Sequence, residues 1–342
     1  MAILEVENLS VEFPTDDGIV KAVDDLSYEI GDNEVLGIVG ESGSGKSVSA
    51  MAIMGLLPRS AKVRGSVLLR GEELVGANDH RMQTVRGNKI AMVFQDALAA
   101  LNPVYKVGDQ IAEAITCHQG DISRTELGKK VVGLLELVGI PQPKRRAEQY
   151  PHEYSGGMRQ RAMIAMAISN DPDILIADEP TTALDVTIQA QVLDVLERIQ
   201  ERTSSAIIMI THDLGVVAGM ADRVLVMYAG RMAEIGAVDD IFYNTGHPYT
   251  LSLLASLPRI DRESGHEHRL FRIEGNPPSL INVPRGCPFH PRCFRAELPA
   301  PCSTERPAPV VVQGVFGHRA TCHFASEVPT IDPETLQSRM SR

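Results

Sequence analysis

A glycine-rich segment carries the clearest chemical signal in the chain. Residues 40–47 read GESGSGKS, which matches the phosphate-loop pattern G-x-x-x-x-G-K-[ST]. The apolar run 35–39 precedes it and the segment 48–57 follows it, in the order strand, loop, helix. In such a loop consecutive backbone N–H groups converge on phosphate oxygens, while Lys46 reaches the outer phosphates and Ser47 can hold Mg²⁺. The segment therefore predicts a nucleotide site.

Two adjacent carboxylates follow another apolar run. Residues 174–177 show no polar alternation, which predicts a strand buried on both faces of a parallel sheet, and Asp178 and Glu179 come directly after it. Because α/β sheets bind ligands at the carboxyl ends of their strands, we expect both carboxylates beside the phosphate loop. Asp178 would then hold Mg²⁺ through water, and Glu179 would orient and deprotonate the attacking water. A solvated acidic turn is the alternative, and it leaves the apolar strand and the phosphate loop unexplained.

Gln95 and His212 also stand at or just after the ends of predicted strands, over residues 89–94 and 206–210. A lone histidine is more often structural than catalytic. If these strands end at the same edge of the sheet as the phosphate loop, however, His212 is well placed to touch a γ-phosphate.

A second anion site is indicated near the middle of the chain. Ser155 is a plausible N-cap, and Gly156 and Gly157 would then present free N–H groups at the start of an apolar helix. An ordinary capped helix is the alternative, and the triplet alone does not exclude it.

The surrounding pattern predicts the elements that position these groups. The first thirty residues read as short antiparallel strand pieces, over 4–9, 11–13, 19–23 and 26–30. Phe13 ends the second piece, where its ring could stack on a base or simply pack in the core. Further strands are predicted over 65–69 and 89–94, and a closing hairpin over 224–228 and 232–235.

Helical patterns occupy residues 97–139 and 187–202. The clearest amphipathic helix begins at a capping box over residues 123–126, places Leu127, Val131 and Leu134 on one face, and stops at Gly139.

Length and composition limit the classes of function. The chain has 342 residues and a formal net charge of −11, which argues against a nucleic-acid partner bound by phosphate neutralisation. No apolar run approaches the 18 or so residues that span a bilayer, and the N-terminus lacks the pattern of a signal peptide. We therefore expect a cytosolic chain whose membrane role, if any, depends on partners.

Cysteines concentrate in the last part of the chain. Cys117 stands alone, whereas Cys287, Cys293, Cys302 and Cys322 follow the spacing C-x5-C-x8-C-x19-C in a region from residue 246 that is rich in Pro, Arg and His. In a cytosolic protein this clustering favours a metal site over disulfides. The spacing matches neither a zinc finger nor a ferredoxin, so a [4Fe–4S] cluster, a structural Zn²⁺ and free thiols all stay open.

In chain order, these motifs resemble those of the nucleotide-binding subunit of ATP-binding-cassette (ABC) transporters. The resemblance covers residues 1–245. It implies an α/β P-loop ATPase fold with a mostly parallel core sheet, an N-terminal antiparallel β subdomain and a helical subdomain inserted over about residues 97–165. It also implies that two subunits dock head to tail, so that each ATP lies between one phosphate loop and the other chain's signature helix.

The resemblance assigns a role to each motif. Ser155, Gly156 and Gly157 match the signature that contacts the partner's ATP, although Tyr154 and Met158 stand where Leu and Gln are usual. Residues 183–185 match the dimer-contact loop, with Asp185 as its acidic residue. The residues implied in ATP binding are Phe13, Gly40, Ser42, Gly43, Ser44, Gly45, Lys46, Ser47, Val48 and Gln95. Those implied in catalysis are Glu179, His212 and Lys46, and those implied in holding Mg²⁺ are Ser47, Gln95 and Asp178.

The last hundred residues resemble the C-terminal extension of dipeptide and oligopeptide importer ATPases. The matching segments are HPYT at 247–250, GNPP at 275–278 and GCPFHPRC at 286–293. The resemblance implies a loop-rich extension over 246–342 that holds a [4Fe–4S] cluster on the four cysteines, with Zn²⁺ as the alternative. It also implies a sister ATPase, two membrane permease subunits, an extracytoplasmic peptide-binding protein and a place on the cytoplasmic face of the membrane.

Three other functions are alternatives. Nickel importers share this architecture, so the cargo could be nickel or another small solute. A soluble cassette ATPase acting on DNA or ribosomes would normally carry two cassettes or a long insertion, and the segment between Gln95 and Ser155 has no room for one. An iron–sulfur sensor with a decayed ATPase is a rival of another class, but every catalytic position here holds a competent residue.

Overall fold

The computed structural model describes residues 2–96, 100–182, 185–257 and 273–328. The described strands, in chain order, are β1 (Ala2–Thr15), β2 (Gly18–Gly31), β3 (Val35–Val39), β4 (Lys62–Leu69), β5 (Glu72–Glu73), β6 (Ile90–Val93), β7 (Ile174–Asp178), β8 (Ala206–Thr211), β9 (Arg223–Tyr228), β10 (Arg231–Ala237), β11 (Val310–Val311) and β12 (Arg319–Ala320). The described α-helices are α1 (Lys46–Ile53), α2 (Asp79–Val85), α3 (Val107–Thr116), α4 (Arg124–Leu137), α5 (Pro143–Ala147), α6 (Gly156–Ala167), α7 (Val186–Thr203), α8 (Leu214–Met220), α9 (Val238–Tyr243) and α10 (Pro248–Ala255).

The N-terminal sheet is antiparallel, with the strand order β2-β1-β4-β5. The four short pieces expected from the sequence are in fact two long strands, β1 and β2, which pair with several register shifts. Two of the shifts fall around Asn8 and Asp25, whose φ angles are 49° and 64°. Asn and Asp tolerate this left-handed conformation better than most residues do. These irregularities interrupt the alternation of apolar residues, which is why the sequence suggested four strands.

The main sheet confirms the predicted parallel core. Its order is β11-β12-β10-β9-β3-β8-β7-β6, and all neighbouring strands from β9 to β6 are parallel. Every residue of β3, β7 and β8 is buried, as their uninterrupted apolar runs predict. Strand β8 separates β3 from β7, so the strand before the phosphate loop and the strand before the two carboxylates are not direct neighbours. All three nevertheless end at the same edge.

Helices α3 to α6 lie in sequence between β6 and β7 and pack on one another. Helix α4 begins at the expected capping box, in which Ser123 Oγ accepts a hydrogen bond from the Glu126 amide and the Glu126 carboxylate accepts one from the Ser123 amide, both at 3.3 Å. Val131 and Leu134 are buried on its inner face. These helices share one hydrophobic cluster with the main sheet, so they form a layer fixed to the strands that carry the site.

The C-terminal region joins the rest of the chain through strand pairing. Strand β12 pairs with β10, and β11 pairs with β12, so both extend the main sheet. The fully buried Glu234 of β10 accepts hydrogen bonds from the amides of Gly246 and His247 and lies 2.8 Å from His318 Nε2. The boundary at residue 245 stays a prediction, but the two parts are continuous at this sheet edge.

No helix in the described part of the chain combines the length and the apolar composition of a membrane-spanning segment.

Candidate functional site

The phosphate loop connects β3 to α1 in a conformation that only glycine allows at two points. Gly40 and Gly45 have φ angles of 153° and 99°. A Cβ atom would lie 2.2 Å from the Met227 carbonyl oxygen at the first and 2.3 Å from the Ala22 carbonyl oxygen at the second. The glycines are therefore required by the backbone around them as well as by the turn itself.

Lys46 is held inside the loop it follows. Its Nζ donates hydrogen bonds to the carbonyl oxygens of Gly40 and Glu41, at 2.8 and 3.0 Å. Burial lowers the pKa of Lys46, and the negative charges of Glu179, Asp178 and Glu41 oppose that shift. The ammonium group thus lies at the loop, facing the acidic end of the site, where a phosphate would add further negative charge.

Ser47 and Asp178 come together as expected from the sequence. The Ser47 hydroxyl donates a hydrogen bond of 2.9 Å to Asp178 Oδ1, although 131 residues separate them in the chain. Burial raises the pKa of Asp178, and the hydrogen bond from Ser47 opposes the shift. A hydroxyl and a carboxylate oxygen side by side are the hard ligands that Mg²⁺ prefers, so these residues fit that ion.

Glu179 is surrounded by polar side chains from three segments. Its Oε2 accepts hydrogen bonds from Gln95 Nε2 at 2.9 Å and from Thr182 Oγ1 at 2.8 Å. The exposed His212 ring lies with Nδ1 3.6 Å from Glu179 Oε1. Glu179 also has a φ of 48°, a strained conformation of the kind that concentrates at functional sites. The sequence predicted Gln95 and His212 here but missed Thr182, whose only signal is its position three residues after Glu179.

The signature triplet lies at the start of α6. The Ser155 hydroxyl accepts a hydrogen bond from the Met158 amide at 3.3 Å, which confirms the predicted N-cap. Helix α6 packs on α3, α4, α7 and β6. A Cβ on Gly157 would lie 2.6 Å from Ile188 Cγ2, whereas a Cβ on Gly156 would meet nothing within 4 Å. Among the described residues, packing therefore requires glycine at position 157 but not at position 156.

Two other predicted residues lie at the margins of the site. Phe13 is half-buried in β1 and packs against the same hydrophobic cluster as Val48. Asp185 caps α7, where its Oδ1 accepts a hydrogen bond from the Ile188 amide at 2.9 Å. Residues 183 and 184, which belong to the predicted dimer-contact loop, lie outside the described residues.

The four tail cysteines line one small cavity. Cys287, Cys293, Cys302 and Cys322 share it with His290 and His323, and the Cys287 amide donates to the Cys302 carbonyl oxygen at 2.9 Å. Burial raises the pKa of Cys293 to about 12 and that of Cys322 to about 11. Within the described ranges, no group of three or more His, Cys, Asp or Glu side chains is arranged to hold a metal ion. The cysteines converge as predicted, but without the tight ligand set of a single ion.

Comparisons with known proteins agree with the geometry. Residues 23–182 match the family model described as ABC transporter, and residues 233–298 match the model described as oligopeptide/dipeptide transporter, C-terminal region. The oligopeptide transport ATP-binding protein OppD of Bacillus subtilis is 52% identical over 99% of this chain and 94% of its own length. The dipeptide transport ATP-binding protein DppD of the same organism is 54% identical over 85% of this chain and 86% of its own length.

Two further matches cover only part of one of the two chains compared. OppD of Mycobacterium tuberculosis is 53% identical over 94% of this chain, which spans only 51% of that relative. Among solved structures, a dimeric ATP-binding cassette in a post-hydrolysis state bound to ADP and Pi superposes with a TM-score of 0.62 at 26% identity, over 69% of this chain and 98% of the other. These matches confirm the resemblance seen in the motifs. The chain belongs to the ABC transporter family of ATP-binding proteins, in the group that carries the oligopeptide/dipeptide transporter C-terminal region.

Proposed function

We propose that this chain is the ATP-hydrolysing subunit of an ABC transporter that imports di- or oligopeptides. The observation that carries the proposal is the convergence of Lys46, Ser47, Asp178 and Glu179 at one sheet edge, in a chain about half identical to OppD and DppD along most of its length. The names of these relatives support a peptide cargo over nickel or another small solute.

The residues of the site divide the chemistry between them. Lys46 exchanges its loop carbonyl partners for the outer phosphates of ATP. Ser47, Asp178 and Gln95 would hold Mg²⁺, and the bound ion would supply positive charge next to the phosphates. Glu179 takes the proton of the attacking water, and His212, beside Glu179 Oε1, contacts the γ-phosphate.

A second ATPase subunit completes the site. Ser155 and Gly156 are exposed, and Gly156 has open space where a side chain would be. Because no atom of the described residues fills that space, the N–H groups at the start of the helix are open to the ATP of a partner. In a transporter with two different ATPases the partner is a sister subunit, which makes the pair a heterodimer.

The membrane partners contact the surface that follows Gln95. Val104 and Tyr105 expose 70% and 57% of their surfaces there, and Phe94, on the other side of Gln95, exposes 43%. We assign this surface to two permease subunits, which would place the chain on the cytoplasmic face of the membrane. An extracytoplasmic peptide-binding protein would deliver the cargo.

For the four cysteines we propose a [4Fe–4S] cluster, as the resemblance of the C-terminal region implies, with Zn²⁺ as the alternative. Four cysteines around one cavity form the complete ligand set of a [4Fe–4S] cluster. Metal analysis of the purified chain tests this assignment: iron and sulfide in equal amounts support it, and zinc without iron contradicts it.

Reconstitution tests the proposed function. The chain, purified with the proteins that accompany it, is placed in liposomes and its ATP turnover is measured with and without peptides and the binding protein. Peptide-stimulated turnover supports the proposal, and stimulation by Ni²⁺ alone would favour the nickel alternative. Co-purification with ribosomes or DNA instead of membrane subunits would contradict transport altogether.

A further inference from the structure

An arginine of the C-terminal region, with a buried side chain, binds the phosphate loop. Arg292 Nη1 lies 2.7 Å from Glu41 Oε2, and Nη2 lies 2.9 Å from Glu41 Oε1, which is a bidentate pair across 251 residues of sequence. Glu41 is the second residue of the loop, and the Arg292 side chain is only 6% exposed. Because the pair is bidentate and largely buried, removing one partner leaves the other charge without its counter-charge, which costs more than the loss of an exposed surface pair.

Two further contacts, one from β9 and one from the C-terminal region, hold Arg292 in position. Its Nη1 also donates to the Tyr228 hydroxyl at 3.2 Å, and its Nε donates to the Glu274 carbonyl oxygen at 3.0 Å. Burial disfavours the charged guanidinium, but the hydrogen bonds to Glu41 and Tyr228 outweigh it and raise the pKa of Arg292. The guanidinium is therefore fixed on several sides and stays charged.

Glu41 is restrained at three points, and two of them come from the C-terminal region. The side chain is bound by Arg292, and the backbone amide donates to the Tyr249 hydroxyl at 2.9 Å. The third point is the Glu41 carbonyl oxygen, which accepts from Lys46 Nζ at 3.0 Å. The residue that sets the start of the loop thus also supplies a partner of the lysine that should move to the phosphates.

We propose that Arg292 is a positioning residue for the nucleotide: through Glu41 it holds the phosphate loop in the conformation that binds ATP. It does not touch the substrate itself. Because Arg292 lies in the segment between Cys287 and Cys293, this contact makes nucleotide affinity depend on how the cysteine segment is folded. The inference rests on the proposed nucleotide binding.

A double-mutant cycle on the full chain tests the proposal. The dissociation constant for ADP with Mg²⁺ is measured by calorimetry for wild type, Arg292→Ala, Glu41→Ala and the double variant. Each single change should weaken binding roughly tenfold, and the double variant should be no weaker than either single one, because both remove the same contact. The dissociation constant of Arg292→Lys should lie between those of wild type and Arg292→Ala, since an ammonium keeps the charge but cannot form two parallel hydrogen bonds with a carboxylate.

Controls separate loop positioning from general stability. Arg285→Ala removes an exposed arginine of the same segment and should leave the dissociation constant unchanged. If Arg292→Ala does not fold, the dissociation constants of Arg292→Lys and Glu41→Gln test the inference instead, because both substitutions nearly preserve side-chain size. Unchanged affinity in these variants, or single effects that add in the cycle, would overturn the inference. Wild-type protein that fails to bind ADP would instead contradict the proposed function.

Discussion

The strand-end edge of the nucleotide site and the cysteine cavity of the C-terminal region were both expected from the sequence, but they are built differently. At the edge, Ser47, Asp178 and His212 follow three parallel strands, so regular backbone geometry brings them together. Around the cavity, little regular structure is present and side chains make the contacts, as in the Tyr228–Phe289 and Tyr249–Phe289 ring pairs at 5.2 and 5.3 Å. Substitutions in the first region should therefore lower ATP turnover, whereas substitutions in the second should lower the free energy of unfolding.

The largest effect is expected at the edge. Glu179→Gln keeps the size and the hydrogen-bond partners of the side chain but removes the base, so ATP turnover of the assembled complex should fall about a thousandfold, or about 4 kcal/mol of barrier. ATP binding, measured separately, should persist. Glu197→Gln, on the exposed face of α7, is the matched control. Normal turnover in the Glu179 variant would show that another group takes the proton.

In the C-terminal region the comparable change should affect folding. Phe289 is 1% exposed and its ring contacts both tyrosines, so Phe289→Ala should lower the free energy of unfolding by about 3 kcal/mol. Phe316 is fully exposed, and Phe316→Ala should change it by less than about 0.5 kcal/mol. Denaturant titration followed by circular dichroism gives both values. If Phe289→Ala were as stable as Phe316→Ala, the ring contacts of Phe289 would not contribute to the stability of this region.

The two signature glycines should separate an effect on stability from an effect on turnover within one motif. Gly157→Ala pushes a methyl group into Ile188 and should reduce the free energy of unfolding by about 2 kcal/mol. Gly156→Ala meets no atom of the described residues within 4 Å, so stability should hold while turnover of the assembled pair falls. Thermal melting and turnover measured on both variants test this contrast. Full activity of the Gly156 variant would argue against close approach of a partner's ATP.

The smallest effect concerns pH. Burial lowers the pKa of His247 to about 4, against a weaker upward effect of its hydrogen bond to the Thr321 backbone. The folded state therefore disfavours the protonated ring, so stability is complete above the unfolded pKa near 6.5 and declines as pH falls toward 4. Between pH 7.5 and 5.5 the loss should be about 1 kcal/mol. His247→Gln should show a flatter dependence in denaturant titrations, and identical slopes would contradict the assignment.

Some parts of the fold and site could not be read from the sequence. The two long N-terminal strands looked like four because Asn8 and Asp25 interrupt their pairing. Thr182 carries no motif of its own, and neither does Tyr249, whose role depends on Glu41 approaching it from 208 residues away. Arg292 lies inside the segment 286–293 that carries the resemblance, but its neighbours in sequence do not predict its contact with Glu41 of the phosphate loop.

The sequence by itself determined the phosphate loop, the buried parallel strands, the two carboxylates and the family, because each depends on local residue types and on backbone periodicity. Only the tertiary structure decided which side chains meet across the chain: Ser47 with Asp178, Gln95 with Glu179, and Arg292 with Glu41. The reason is physical. Strand ends meet wherever parallel pairing places them, whereas a hydrogen bond between distant side chains depends on the packing of every segment that carries them.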